Sequence, residues 1–317
     1  MPEGAPRGRA VGAIVLAALC FATTGTAQEL ADVAGSPVAV GLARIALGGT
    51  LLALGATWLS RGRATAVAPP PHTGARVPTW VVVATGAGGV VAYQPTFFEG
   101  TARNGVAVGT VVALGSAPVV TGALEAVLRR RVPGVRWGVA TALGIAGVVL
   151  VSGLASGSAV AGSAVVWSVG AGASYALYTL AAKELLGRGW SSGRTMGVLF
   201  GTAGLVSLPA LVLLAGPWLW SGAGVLLVLW LGVVTTAVAY LLFGWGLARL
   251  PAADVATLTL AEPLCATVLG VVVLGERVGA VAGLGLVVLA CGLAVLATAR
   301  ADPSRPAQGR SGLRADA

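Results

Sequence analysis

Between Ala252 and Ala299 the chain carries two apolar runs of more than twenty residues, parted only by Gly275-Glu276-Arg277. A helix rises about 1.5 Å per residue, so about 20 apolar residues cross the hydrocarbon core of a bilayer. Runs of this length point to membrane-spanning helices. A single pair, Glu262-Pro263, interrupts the first run near its middle.

The same spacing occurs earlier in the chain. Pro118, Gly134, Gly138 and Gly147 repeat as Pro263, Gly279, Gly283 and Gly292, gapless, at an offset of 145 residues. Leu124 and Val127 match Leu269 and Val272 in that register, and Ala92-Tyr93 answers Ala239-Tyr240 at an offset of 147. Internal duplication is a common building plan of secondary transporters.

The second copy resembles the EamA-type family of the drug/metabolite transporter superfamily. The residues that carry the likeness are Glu262-Pro263, Gly270 and Leu274-Gly275-Glu276, followed by Gly283 and Gly292. It extends over about residues 10 to 299. The resemblance implies ten helices in two halves and export of amino acids or related compounds. It does not extend to a symmetric pair of acids, because the position matching Glu276 is Arg131, where relatives often keep an acid.

Only 10% of residues are charged, against about 25% in a soluble domain. The net charge of +9 therefore reads as membrane topology and not as a nucleic-acid footprint, since the basic residues cluster at the ends of apolar runs. The 48 glycines let helices approach closely in lipid, where small residues line interfaces.

Spans are expected at about 10–26, 38–58, 79–98, 106–128, 137–154, 164–182, 195–214 and 222–245, with the ninth and tenth in the opening stretch. A signal peptide shares the outline of the first run, with Gly25-Thr26-Ala27 as a small-residue site. Its full span length and its place in the repeat favour a helix that stays. Ten spans put seventeen of the twenty Lys and Arg on one side and only Arg103 and Arg277 on the other. Both termini are therefore expected in the cytoplasm, in the plasma or inner membrane.

The fold expected is an all-α integral membrane protein of ten transmembrane helices in two inverted five-helix repeats. Its parts are a cytoplasmic N-terminal segment 1–9, a first repeat 10–155, a linker 156–163, a second repeat 164–299 and a disordered cytoplasmic tail 300–317. Each half holds five spans, an odd number, so the halves insert in opposite senses. Inverted repeats place the substrate site near the midplane where they meet.

Ionisable groups inside spans are expensive, at least about 2.5–3.5 kcal/mol at the bilayer centre. Glu262 is the first candidate. It either binds a cationic substrate group or takes up a proton, or else it bridges helices structurally, and Pro263 beside it frees a backbone carbonyl about a turn back. Arg44 is expected to pair with an acid, cap carbonyls or snorkel. Glu125 is expected to pair with Arg129 one turn on, and Asp254 to sit at a helix N-terminus. Tyr93-Gln94-Pro95 is expected to break span three. Tyr175 and Tyr178 share a face of span six, with Trp167 about two turns earlier, and Thr23 and Thr24 face the interior of span one. These polar and aromatic groups are weighed against ordinary helix packing.

Trp58, Trp80, Trp137, Trp190, Trp218 and Trp220 read as interfacial anchors. Cys20, Cys265 and Cys291 read as buried free thiols, and His72 as a loop residue. No metal-ligand spacing, phosphate loop or catalytic constellation is present, so neither a metal, a cofactor nor an enzymatic activity is expected. The partners expected are a small-molecule substrate and the lipid bilayer, with no nucleic acid and with a homodimer left open. A flippase for lipid-linked intermediates on the same fold is the alternative function.

Overall fold

The computed structural model describes residues 7–61, 77–104, 106–130, 132–152, 162–275 and 277–298. The expected linker, the tail, His72, Arg131 and Glu276 lie outside the described residues. Twelve helices follow one another: α1 (Arg7–Ala31), α2 (Pro37–Arg61), α3 (Thr79–Asn104), α4 (Val106–Arg129), α5 (Val135–Val151), α6 (Gly162–Gly187), α7 (Ser192–Leu214), α8 (Gly222–Gly232), α9 (Ala239–Leu247), α10 (Ala252–Leu258), α11 (Ala261–Leu274) and α12 (Ala280–Ala297). A π-helical turn, Val233–Val238, joins α8 to α9 in one span. α10 and α11 likewise form one span. Among the described residues nine spans are long and apolar enough to cross a membrane, and α5, with 17 residues, is the shorter tenth.

Local chemistry explains where the helices start and stop. Ser36, Ser191 and Ser221 accept hydrogen bonds from the backbone N–H groups of Ala39, Arg194 and Gly224, satisfying donors that a helix start leaves unpaired. Gly275, at φ 70°, ends α11 in the left-handed conformation that glycine adopts without steric cost. The repeat mates Gly134 and Gly279 begin α5 and α12 with nearly the same backbone, φ −68° and ψ 160° against φ −70° and ψ 162°.

Packing shows the duplication directly. α5 and α12 run antiparallel, with Gly147 against Gly285 and Leu289 and Gly292 against Ala140 and Gly144. The offset of 145 carries the first two contacts onto the second two. A Cβ on Gly147 would meet the backbone nitrogen of Leu289 at 2.6 Å, so only glycine permits this approach. α2 and α7 cross in the same way, through Gly49 and Gly201. α3 packs along α6, and its counterpart, the α8–α9 span, packs along α1. The fold is thus two five-span halves related by a two-fold axis. Successive spans alternate in direction, so the halves are inverted.

Arg7, at the start of α1, pairs with Asp254 at the start of α10. Gly292, one turn before the end of α12, lies on Ala140, near the start of α5. Both ends of the described chain therefore lie on one face. The largest apolar cluster sits toward that face, built from residues such as Ile14, Leu185, Leu199, Leu247 and Leu258.

Several expectations need correction. Pro95 does not break span three, because α3 runs through it. Membrane helices tolerate an internal Pro where neighbours re-satisfy the freed backbone groups. Trp218 is not a surface anchor but is buried against Gly35 and Gly216, where the missing side chains make room for its ring. Trp137 is half-buried and donates from Nε1 to the carbonyl of Ala253 at 3.0 Å. Cys291 is exposed on the outer surface of the bundle, while Cys20 and Cys265 are half-buried, and all three are free.

Candidate functional site

Where the halves meet, the bundle encloses a cavity of about 600 Å³. Its rim is formed by the far ends of α1, α2, α3 and α11, at Glu29, Pro37, Thr101 and Leu274. It therefore opens on the face opposite the termini. Toward the terminal face it is closed by a cluster of rings. Tyr175 and Tyr178 lie 5.0 Å apart, Tyr178 and Tyr240 6.0 Å, and Phe200 packs on Tyr240 at 3.9 Å between centroids. Beneath them sits the apolar cluster described above.

Of the residues expected at a site, Glu262, Tyr93, Gln94, Tyr175 and Tyr178 line this cavity, and Arg44 joins them from α2. Three do not. Trp167 is 39% exposed, with the Arg103 guanidinium 5.9 Å over its ring, because its face of α6 turns away from the halves' junction. Thr23 donates to the carbonyl of Cys20 and accepts from Trp230 Nε1 at 3.1 Å, so its neighbour Thr24 is the one that reaches the cavity. Pro263 is not a lining residue and acts on the backbone instead.

That backbone effect brings Glu262 to the cavity. Pro263 has no N–H to give Thr259, and the span breaks between α10 and α11 at Thr259-Leu260. The turn is closed by short-range bonds, Leu260 N–H to Thr257 O at 3.1 Å and Glu262 N–H to Thr259 O at 2.9 Å. Thr259 itself lines the cavity and shares a hydrogen bond with the Tyr175 hydroxyl at 3.1 Å. Glu262 then sits in the first turn of α11, where the partial positive charge of a helix N-terminus favours a carboxylate.

Among the described residues neither Glu262 nor Arg44 makes an ion pair or a side-chain hydrogen bond, though each lies within the other's electrostatic reach. Arg44 Nε is buried without a partner. Among the described residues no acid or carbonyl pairs with Arg44, and both charges present themselves to the cavity. On the α3 wall Tyr93 stacks with Phe97 at 5.6 Å, and Phe97 meets Phe98 edge-on at 5.5 Å. Gly41 leaves the space that the buried carboxamide of Gln94 fills.

The sequence reading missed Phe21, Phe97, Phe98, Tyr240 and Thr259. For Tyr240 a signal existed, since it is the repeat mate of Tyr93. The π-helical turn before it, where Thr235 and Thr236 both donate to Leu231 O, had none. Such turns often mark functional sites. Glu125 accepts from the backbone N–H groups of Ala252 at 3.4 Å and Ala253 at 2.8 Å, and its expected partner, the Arg129 side chain, lies outside the described residues.

Two inverted five-helix halves around a central cavity define a multi-pass membrane transporter architecture. The chain belongs to the EamA-like transporter family, whose profile matches residues 8–153 and again 162–298. It is 36% identical over 287 residues to the uncharacterized transporter YwfM of Bacillus subtilis (strain 168), covering 90% of this chain and 93% of that one. A crystal structure of a protein 20% identical in sequence superposes with a TM-score of 0.74, over 90% of this chain and 95% of the other, a likeness of fold.

Proposed function

We propose that the protein exports a small amino-acid-like metabolite across the cell membrane by alternating access, with both termini in the cytoplasm. The structure is then the outward-open state. The observation that carries this reading is the cavity with one unpaired carboxylate, Glu262, and one unpaired guanidinium, Arg44, among aromatic walls. An ammonium group suits the first and a carboxylate the second, and charge-assisted hydrogen bonds to both would repay their burial. In this reading Glu262 also carries the coupling proton when substrate is absent. The distribution of Lys and Arg supports the orientation.

The test uses purified protein in liposomes with a labelled amino acid and an imposed pH gradient. Glu262→Gln is expected to abolish uptake or to leave it independent of the gradient, with the protein still eluting as a folded species. Flux with unchanged pH dependence in that variant removes the coupling role of Glu262.

A further inference from the structure

We infer that this transporter carries a polar latch around α10 on its closed face, which the inverted copy lacks among the described residues, and that the latch makes the state open opposite the termini its resting state. The inference rests on the alternating-access reading above. Its parts are four side chains around α10, beside the Arg7–Asp254 ion pair at the same helix start. Glu125 of α4 accepts from the N–H groups of Ala252 and Ala253, Trp137 of α5 donates to Ala253 O, and Thr141 of α5 shares a 2.8 Å hydrogen bond with Thr257. Lys183 of α6 adds the other side of the same turn, donating to Leu247 O and Leu250 O at 2.6 Å each. An acid thus holds the N-terminus of one span and a cation the C-terminus of the preceding one, each on the matching end of a helix dipole.

The bonds from Glu125, Trp137 and Thr141 join the first half to the second, and they lie on the closed face. The two-fold relation of the halves says what the open face should carry in return. At the offset of 145, Glu125 becomes Gly270, Trp137 becomes Ala282 and Thr141 becomes Leu286. None of these replacements has a side-chain donor or acceptor. Lys183 stands near the end of α6, and the end of its counterpart α1, residues 28–31, reads Gln-Glu-Leu-Ala and holds no cation. α4 touches α10 on the closed face, whereas on the open face Thr110 of α4 and Gly270 of α11 line the cavity. Alternation must part the spans of Pro118 and Pro263 where Glu125 joins them and bring them together where Gly270 does not. The backbone break at Thr259-Leu260 lets α10 leave while α11 stays.

The test reads each face with a membrane-impermeant maleimide on oriented vesicles. The parent has Cys20, Cys265 and Cys291 replaced by Ala, and its transport is measured before either reporter is added, Thr110→Cys in the cavity or Ala256→Cys, whose residue is 1% exposed beneath the closed face. Adding Glu125→Ala is expected to raise labelling at position 256 from the terminal face by about tenfold or more, the shift one charge-assisted hydrogen bond carries, and to lower labelling at position 110. Thr141→Val, a milder change that keeps the fold, is expected to shift both reporters the same way by less. Unchanged reporters in both variants, with transport by the parent intact, overturn the latch. Failure of the unaltered protein to move a labelled amino acid overturns the export reading and leaves the accessibility result to stand or fall separately.

Discussion

The spans that carry Pro118 and Pro263 are copies of one another, yet one is a continuous helix and the other is broken. In α4 the residues around the proline are Leu114, Ser116 and Ala117, with Leu114 and Ala117 on the cavity wall, and the helix runs on without a gap. In the second copy Thr259 and Glu262 stand where Leu114 and Ala117 do, and the helix opens between α10 and α11. A proline alone therefore does not decide a break. What differs is the set of polar groups available to take up the released backbone: Tyr175 holds Thr259, while spans 4 and 5 hold α10 through Glu125, Trp137 and Thr141. Duplication supplied the geometry twice, and divergence put the charge and the joint in one copy only.

This contrast is tested most severely at the charge. Glu262→Gln is expected to lower transport by about a hundredfold, the scale of leaving a bound ammonium group without its carboxylate, whereas Ala117→Ser at the equivalent position stays near the parent rate. Counterflow in liposomes checks both. The part of the fold that the copies share comes next. Gly147→Leu and Gly292→Leu occupy equivalent places, and each is expected to lower stability by about 1–3 kcal/mol through overpacking, read as similar falls in melting temperature. A large difference between the two breaks the symmetry argument.

Removing each proline separates backbone from side chain. Pro263→Ala is expected to slow transport by roughly tenfold, about 1.4 kcal/mol on the barrier, by closing the joint below Glu262. Pro118→Ala, in a helix already continuous, leaves transport near the parent rate. Equal effects at the two sites would remove the joint from the mechanism. The smallest change is Thr259→Val, which deletes the hydrogen bond to Tyr175 and is expected to cost about 1 kcal/mol of stability.

Much of this was legible in the chain itself. Apolar runs of span length, the gapless glycine spacing and the bias of Lys and Arg determined ten helices in two inverted copies, because each is a one-dimensional pattern that lipid converts into structure without further choice. The same patterns singled out Glu262, since an acid in an apolar run stands out against its neighbours. Facing was not legible. Helices rich in Gly, Ala, Val and Leu carry no strong polar stripe, so Thr23 and Thr24, or Trp167 and Tyr175, look alike until neighbouring helices assign them sides. Only the tertiary structure decided that Glu125 serves the start of α10, that Arg44 meets no partner among the described residues, and that the cavity is open at one end. Each of these depends on residues far apart in sequence being brought to one place by packing, and no local rule contains that distance.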